Sequence, residues 1–393
     1  MTAWLHIVGM GEGAVPDLPP ARTILGPPRL LDRLPADTPG QRLAWRPPLQ
    51  AMLDRVMALR GTPTLILATG DPMWFGIGAT LAAQFDPAEW EIHPYPSAFQ
   101  LAAARLRWPL QHVATLSLHG RPAELVQPHV TPGNRVLALT ADRATAPVVA
   151  RLLTERGYGA SRLTVLEHLG GAGERLVSAE ARGFALAIGD FYVLAIDCAA
   201  EPGAPLLPPV PGLPDEAFVS DGQLTKREVR AATLAKLAPY PGALLWDVGA
   251  GCGSVAVEWM RAARDATAIA FERESERLQM IAVNAARLGV PTLRIENGDA
   301  PGSLVGMPAP DAVFVGGSVG DDALFHACWQ ALRPGGRLVA NAVTLDGEEA
   351  LYRRQARLGG DLARLEIAHL DTLGGHRALR PRHAVTQWSV GKP

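Results

Sequence analysis

Trp246-Asp-Val-Gly-Ala-Gly-Cys-Gly-Ser254 decides how the second half of this chain is read. The apolar run Ala243–Trp246 reads as a buried strand, and a helix-like run, Val255–Arg264, follows at once. Between them stand Asp247 and three glycines at alternate positions, Gly249, Gly251 and Gly253. A strand, a glycine turn and a helix N-terminus together let a nucleotide-like ligand approach the backbone. The spacing departs from a dinucleotide site, whose fingerprint is G-x-G-x-x-G: here the turn is G-x-G-x-G, and Ser254 comes next. Glu272 closes the next apolar run, Thr267–Phe271, about 20 residues on, where a carboxylate grips a ribose hydroxyl pair.

Two later segments have the same form, a short apolar run ending in glycine and polar residues. They are Asn297-Gly298-Asp299 and Phe314-Val315-Gly316-Gly317-Ser318. A helix cap explains Asp299 alone, and a tight turn explains Gly316-Gly317 alone. Their joint spacing favours a site at the carboxyl ends of neighbouring strands. The pattern resembles the S-adenosylmethionine-dependent methyltransferases with a Rossmann-like sheet. On that resemblance the glycine turn offers backbone N–H groups and room for the amino-acid part of the cofactor. Glu272 takes the ribose, Asn297, Gly298 and Asp299 take the adenine edge, and Gly316 and Gly317 lie near the transferred methyl group.

The chain has 393 residues, room for two domains of ordinary size. Its 37 basic and 39 acidic side chains nearly cancel, which argues against a nucleic-acid partner. The N-terminus has no charged region followed by a long apolar stretch, so no signal peptide is expected. The longest apolar stretch, Phe184–Ala200, is broken by Gly189-Asp190 and Asp197 and reads as two strands, not a membrane span. Cys198, Cys252 and Cys328 lack metal-ligand spacing and read as buried small hydrophobes in a reducing cytosol. No membrane partner and no metal are therefore expected, and the expected location is cytoplasmic. Glu201–Asp215 is proline-rich and reads as a semi-rigid linker between domains at 1–200 and 216–393.

The first half alternates strand-like and helix-like runs, as α/β domains do. Strands are expected at Trp4–Val8, Thr64–Ala68, Trp90–Pro94, Ala114–Leu118, Arg135–Thr140, Leu163–Glu167 and Phe191–Asp197. Ser97 and Gln100 form a capping box ahead of Leu101–Leu106. Pro147 sits near the start of a helix Val148–Arg156, and Gly157 suits its end. Four loops follow strands: Val8–Gly13, Thr69–Met73, Tyr95–Ser97 and Ser117–Arg121. Together they suggest a cleft.

Those loops, read as GxGxG, GDP, PSxxxxxxARL and SLHGR, resemble the tetrapyrrole methylase family. That resemblance implies S-adenosylmethionine in a cleft between two α/β subdomains, held by Gly9, Gly11, Gly70, Asp71, Met73 and Ser97. The chain departs from the family at Ala14–Pro20, where three prolines replace the start of a helix. The second half, with LTKxEVR, DVGAGCGS, NGDAP and FVGGS, resembles the decarboxylating precorrin methyltransferases. There the implied cofactor residues are Thr225, Asp247, Gly249, Gly251, Gly253, Ser254, Glu272, Asn297, Gly298, Asp299, Gly316 and Gly317. Thr225 and Glu228 also read as a capping box for a helix to about Leu237.

The fusion in this order resembles the bifunctional, decarboxylating methyltransferases of cobalamin biosynthesis. The resemblance implies two cofactor sites, one per domain. It implies methylation of C5 by the first domain, and of C15 by the second with loss of the C12 acetate carboxyl, giving precorrin-8X. The substrate would be a carboxylate-rich tetrapyrrole and the protein a homo-oligomer. Arg377 and Arg380, in the basic run His376–His383, are candidates to clamp substrate carboxylates. No catalytic acid or base is legible; His119, Lys226 and His376 are the candidates. Two rival readings are a nicotinamide-dependent oxidoreductase in the second half and a first domain that only docks substrate.

Overall fold

The computed structural model describes residues 3–45 and 48–393. The chain forms two compact units: Met1–Ala123 with Pro132–Pro205, and Glu124–Thr131 with Leu206–Pro393. No helix among the described residues is long and apolar enough to cross a membrane. All three cysteines are buried.

The first unit opens with β1 (Leu5–Met10), β2 (Thr23–Gly26), α1 (Pro28–Leu31), β3 (Gln41–Ala44), α2 (Leu49–Ala58), β4 (Thr64–Thr69), α3 (Ile77–Leu81) and β5 (Trp90–His93). Its first sheet has the order β3-β2-β4-β1-β5, and every pair is parallel. Strands β1 and β4 are almost continuously apolar because both faces are covered. Leu5, Ile7 and Ile66 pack on one side, and Val8, Met10, Leu65 and Leu67 on the other, the alternation a strand imposes. Between β1 and β2 the chain makes no helix, as its three prolines require.

The rest of the unit is α4 (Ala98–Leu106), β6 (Ala114–Ser117), β7 (Arg135–Leu139), α5 (Thr145–Glu155), β8 (Arg162–Glu167), β9 (Arg175–Glu180) and β10 (Tyr192–Asp197). This second sheet runs β6-β7-β10-β8-β9, and only β6 and β7 are parallel. The capping box at α4 forms as read: Ser97 Oγ accepts from the Gln100 N–H, and Gln100 Oε1 accepts from the Ser97 N–H. Helix α5 starts at Thr145, three residues before the expected position. The stretch Phe184–Ala200 gives one strand, β10, not two.

The second unit contains α6 (Arg227–Leu237), β11 (Leu244–Val248), α7 (Ser254–Ala262), β12 (Thr267–Glu272), α8 (Ser275–Arg287), β13 (Arg294–Asn297), β14 (Ala312–Val315), α9 (Asp322–Ala331), β15 (Arg337–Ala342), α10 (Leu345–Leu358), β16 (Asp361–Leu365), β17 (Ala368–Leu373), β18 (His376–Pro381) and β19 (Val385–Gly391). Its sheet has the order β13-β12-β11-β14-β15-β19-β16. The first five strands are parallel, and β19 pairs antiparallel with both β15 and β16. The order reverses between β11 and β14, the switch point where open α/β sheets place ligands. Strands β17 and β18 form a separate hairpin turned by Gly374-Gly375.

Part of the proline-rich stretch is packed onto the second unit. Leu207 and Leu213 lie in its core. The Gly212 and Leu213 N–H groups donate to Glu258 at 2.6 and 2.9 Å. Glu258 is buried beside Arg230, which is fully buried and pairs with it at 2.6 Å and with Asp215 at 3.1 Å. Helix α6 corrects one expectation: it starts at Arg227 with Lys226 as N-cap and no side-chain cap. The Thr225 carbonyl accepts instead from the Arg230 guanidinium, so the helix is anchored by a buried cation rather than by a capping box.

Candidate functional site

Parallel pairing brings the ends of β11, β12, β13 and β14 to one edge of the sheet in the second unit. A cavity of about 640 Å³ opens there, within the rough 300–1,000 Å³ range of small-molecule sites. Gly249, Gly251, Glu272, Gly298, Asp299, Gly316 and Gly317 line it, as do Thr225 and Lys226 from the segment leading into α6. The structure thus joins five separate stretches of sequence at one cavity. Asp247, Gly253 and Ser254 stand behind it rather than in it, and Asn297 and His376 also lie outside the lining.

The glycine turn fits against the loop after β14 with no room to spare. Gly249 has φ +71°, and a Cβ there would lie 3.2 Å from the Gly317 nitrogen. A Cβ on Gly316 would lie 3.3 Å from the Gly249 oxygen. Four of the turn's N–H groups are already engaged, contrary to the expectation. Gly249 and Ala250 donate to the Phe271 carbonyl, Gly253 to that of Ala250, and Gly251 to Glu272. The parallel pairing of β11 with β12 brings the Phe271 and Glu272 acceptors within reach, so what the turn offers a ligand is mainly its shape.

Asp247 is buried at the root of the turn. One carboxylate oxygen accepts from the Ala256 N–H at 2.9 Å, and the other, fully buried, has no partner. Burial pushes its pKa up to about 7, with the Ala256 N–H opposing the rise and the Glu272 charge adding to it.

The base of the β17–β18 hairpin forms the far wall, through Ile367, His369, Arg382 and His383. His369 Nε2 is 3.5 Å from Glu228 Oε1. Lys226 Nζ donates to the Gly222 carbonyl at 3.1 Å. Among the described residues the Arg382 guanidinium has no ion-pair partner, so its charge is available at the cavity. Arg377 and Arg380 lie further along β18 and outside the lining, and Arg380 pairs with Asp371 at 2.9 Å. Sequence reading missed His369 as a site residue, and within the basic run His376–His383 it singled out Arg377 and Arg380 rather than Arg382. The Gly374-Gly375 hairpin signal could have located them, since it fixes which residues stand at the base.

In the first unit the loops after β1, β4 and β5 converge. A Cβ on Gly9 would lie 2.4 Å from the Gly70 oxygen, and one on Gly11 would lie 2.4 Å from the Tyr95 ring. The Gly70 N–H donates to the Met10 carbonyl at 2.7 Å, and Asp71 accepts from the Met73 N–H at 2.8 Å. Ser97 stands buried at the start of α4 beside this edge. Met73, Trp74 and Phe75 are exposed, and the two rings lean on Phe99. Two arginines with no motif of their own organise the loop. Arg33 donates to the carbonyls of Gly11 and Gly13, and Arg29 pairs with Glu12 at 2.9 Å with its guanidinium 4.2 Å from the Phe191 ring. His119 lies elsewhere, at the end of β6, with its ring 3.2 Å from the Thr140 carbonyl.

Residues 5–184 match the model of the Tetrapyrrole (Corrin/Porphyrin) Methylases, and residues 216–392 that of the Precorrin methyltransferase domain. The whole chain is 46% identical to the precorrin-6Y C(5,15)-methyltransferase [decarboxylating] of a Sinorhizobium species, over 97% of that protein. A cobalt-precorrin-6B C(15)-methyltransferase (decarboxylating) of Salmonella typhimurium is 33% identical over 44% of this chain and 91% of its own length. The crystallised C-terminal domain of precorrin-6Y C5,15-methyltransferase from Rhodobacter capsulatus is 45% identical, covering 47% of this chain and all of that one, with a TM-score of 0.45.

Proposed function

The chain belongs to the precorrin-6Y C5,15-methyltransferase (decarboxylating) family, and from that premise we propose how its two units divide the work. The protein is an S-adenosylmethionine-dependent methyltransferase of cobalamin biosynthesis that methylates C5 and C15 of its tetrapyrrole and decarboxylates it. The first unit takes the C5 methylation. The second takes the C15 methylation and removal of the C12 acetate carboxyl, giving precorrin-8X. A relative that spans under half of this chain bears only the C15 and decarboxylating name, which supports two separable activities. Neither a nicotinamide-dependent oxidoreductase nor a purely docking first unit has comparable support.

The observation that carries this reading is one cavity walled on one side by the glycine turn and Glu272 and on the other by Arg382, His369 and His383. The lining suits the cofactor: Gly249, Gly251, Gly316 and Gly317 bring bare backbone to the cavity, and Glu272 brings a carboxylate. When bound, S-adenosylmethionine supplies an electrophilic methyl group. Glu272 would accept from the ribose, Gly298 and Asp299 would border the adenine, and Gly316 and Gly317 would leave space at the reacting centre. In the first unit Gly9, Gly11, Gly70, Asp71, Met73 and Ser97 would hold a second cofactor beside Tyr95.

Little covalent chemistry is asked of the side chains. They must align the nucleophilic ring carbon and exclude water. Arg382 and Lys226 would bind substrate carboxylates by charge-assisted hydrogen bonds. His369 Nε2, beside Glu228, is placed to hold a proton while the carboxyl is lost. A homo-oligomer is part of the same proposal.

The test is mass spectrometry of the reduced precorrin-6 substrate after incubation with S-adenosylmethionine. The full chain should add two methyl groups and release carbon dioxide. Gly11→Ala should lose one methyl gain, and Gly249→Ala the other together with decarboxylation. Two methyl gains retained by either variant would overturn the division. Equilibrium dialysis should find two cofactors per chain, and one would overturn the second site.

A further inference from the structure

In the first sheet, β1 pairs with the edge strand β5 so that His6 stands opposite Glu91 and Val8 opposite His93. Residues two apart on a strand share a face, so Glu91 and His93 project together, and the His6 ring joins them. His6 Nδ1 lies 3.2 Å from His93 Nε2 and 3.6 Å from Glu91 Oε2. One ligand atom from each of the three lies within 4.8 Å of the others. A tetrahedral ion with bonds of about 2.0–2.2 Å spaces its ligand atoms about 3.4 Å apart, and the two measured separations bracket that value. Imidazole and carboxylate together suit zinc and its first-row neighbours.

We infer that His6, Glu91 and His93 form a binding site for a divalent transition-metal ion of the zinc type, with its fourth position open to solvent. The ligands lie on strands β1 and β5, before the loops that hold Gly9, Gly11 and Tyr95. The ion therefore ties the edge strand to its neighbour.

The experiment uses the full chain, stripped with chelator and titrated calorimetrically with Zn²⁺, and then with Co²⁺ while its visible spectrum is followed. One zinc per chain should bind with a rise in melting temperature, and Co²⁺ should give the intense visible absorption of a tetrahedral centre. His93→Asn and Glu91→Gln should each weaken zinc binding by about tenfold or more and abolish both signatures. Glu91 is 59% exposed, so its amide variant tests the site without threatening the fold. No zinc binding by the wild-type chain would overturn the proposal, as would equal affinity and stoichiometry in the wild type and Glu91→Gln.

Discussion

Glu272 Oε2 accepts the backbone N–H of Gly251 at 2.8 Å, so the acidic residue at the end of one strand holds the glycine turn at the end of the next. Its other oxygen accepts from the Arg273 and Glu274 N–H groups at 2.9 and 3.1 Å. A carboxylate offers about four acceptor positions, so roughly one is left for a ligand hydroxyl. Glu272→Gln places an amide where several N–H donors need an acceptor. It should weaken S-adenosylmethionine binding by about tenfold and lower stability by about 1–3 kcal/mol. Calorimetric titration and urea unfolding check both.

Asp247 should give the stability curve a slope with pH. Its unfolded carboxyl titrates near the ordinary value of about 4, and its folded one near 7. Between these values the folded chain keeps a proton that the unfolded chain releases. Its contribution is therefore most favourable below the unfolded pKa and declines as pH rises toward 7, by up to about 4 kcal/mol. Asp247→Asn should flatten that decline. Denaturant unfolding at pH 5 and pH 8 reads it out, and an unchanged slope would assign the titration to another group.

The buried Arg230–Glu258 pair predicts a large asymmetry between single and double variants. Arg230→Met leaves Glu258 buried with only the Gly212 and Leu213 N–H groups. The cost should be about 3–5 kcal/mol. Adding Glu258→Gln should recover part of the loss, because the unpaired charge is then gone. A double-mutant cycle by chemical denaturation gives the coupling.

The hairpin distinguishes base from tip. Arg382→Gln should raise the KM for the tetrapyrrole by about tenfold, the worth of one charge-assisted hydrogen bond, and leave cofactor affinity unchanged. Arg377→Gln, beside the turn, should stay within about twofold, as a surface change does. Steady-state kinetics of both variants check the contrast, and equal effects would move the clamp toward the tip.

Much of this was legible from sequence because the signals were local. Strand β4, Thr64–Thr69, overruns the expected Thr64–Ala68 by one residue, and the Ser97–Gln100 box forms as read. Strand β3, Gln41–Ala44, was not, because it is short and half-exposed and shows no apolar alternation. The side chains that brace the sites were also hidden. Arg33 reaches carbonyls 20 and 22 residues away, and Arg230 reaches a glutamate 28 residues on. Such partners are chosen by tertiary packing, which no local spacing records. The N–H groups of Gly249, Ala250 and Gly251 were misjudged for the same reason: the acceptors that occupy them, Phe271 and Glu272, lie on another strand.

The mutual approach of Gly249 and Gly316 bears on how the protein can diverge. At Gly249 the positive φ and the Gly317 backbone both oppose a side chain, and at Gly316 a Cβ would meet the Phe314 ring at 2.9 Å and the Gly249 oxygen at 3.3 Å. A side chain at either position therefore needs the facing loop to give by a few tenths of an ångström, and at Gly316 the Phe314 ring as well. The two segments, far apart in the gene, should therefore be inherited as one trait. A natural homologue with alanine at one position should show a displaced loop at the other.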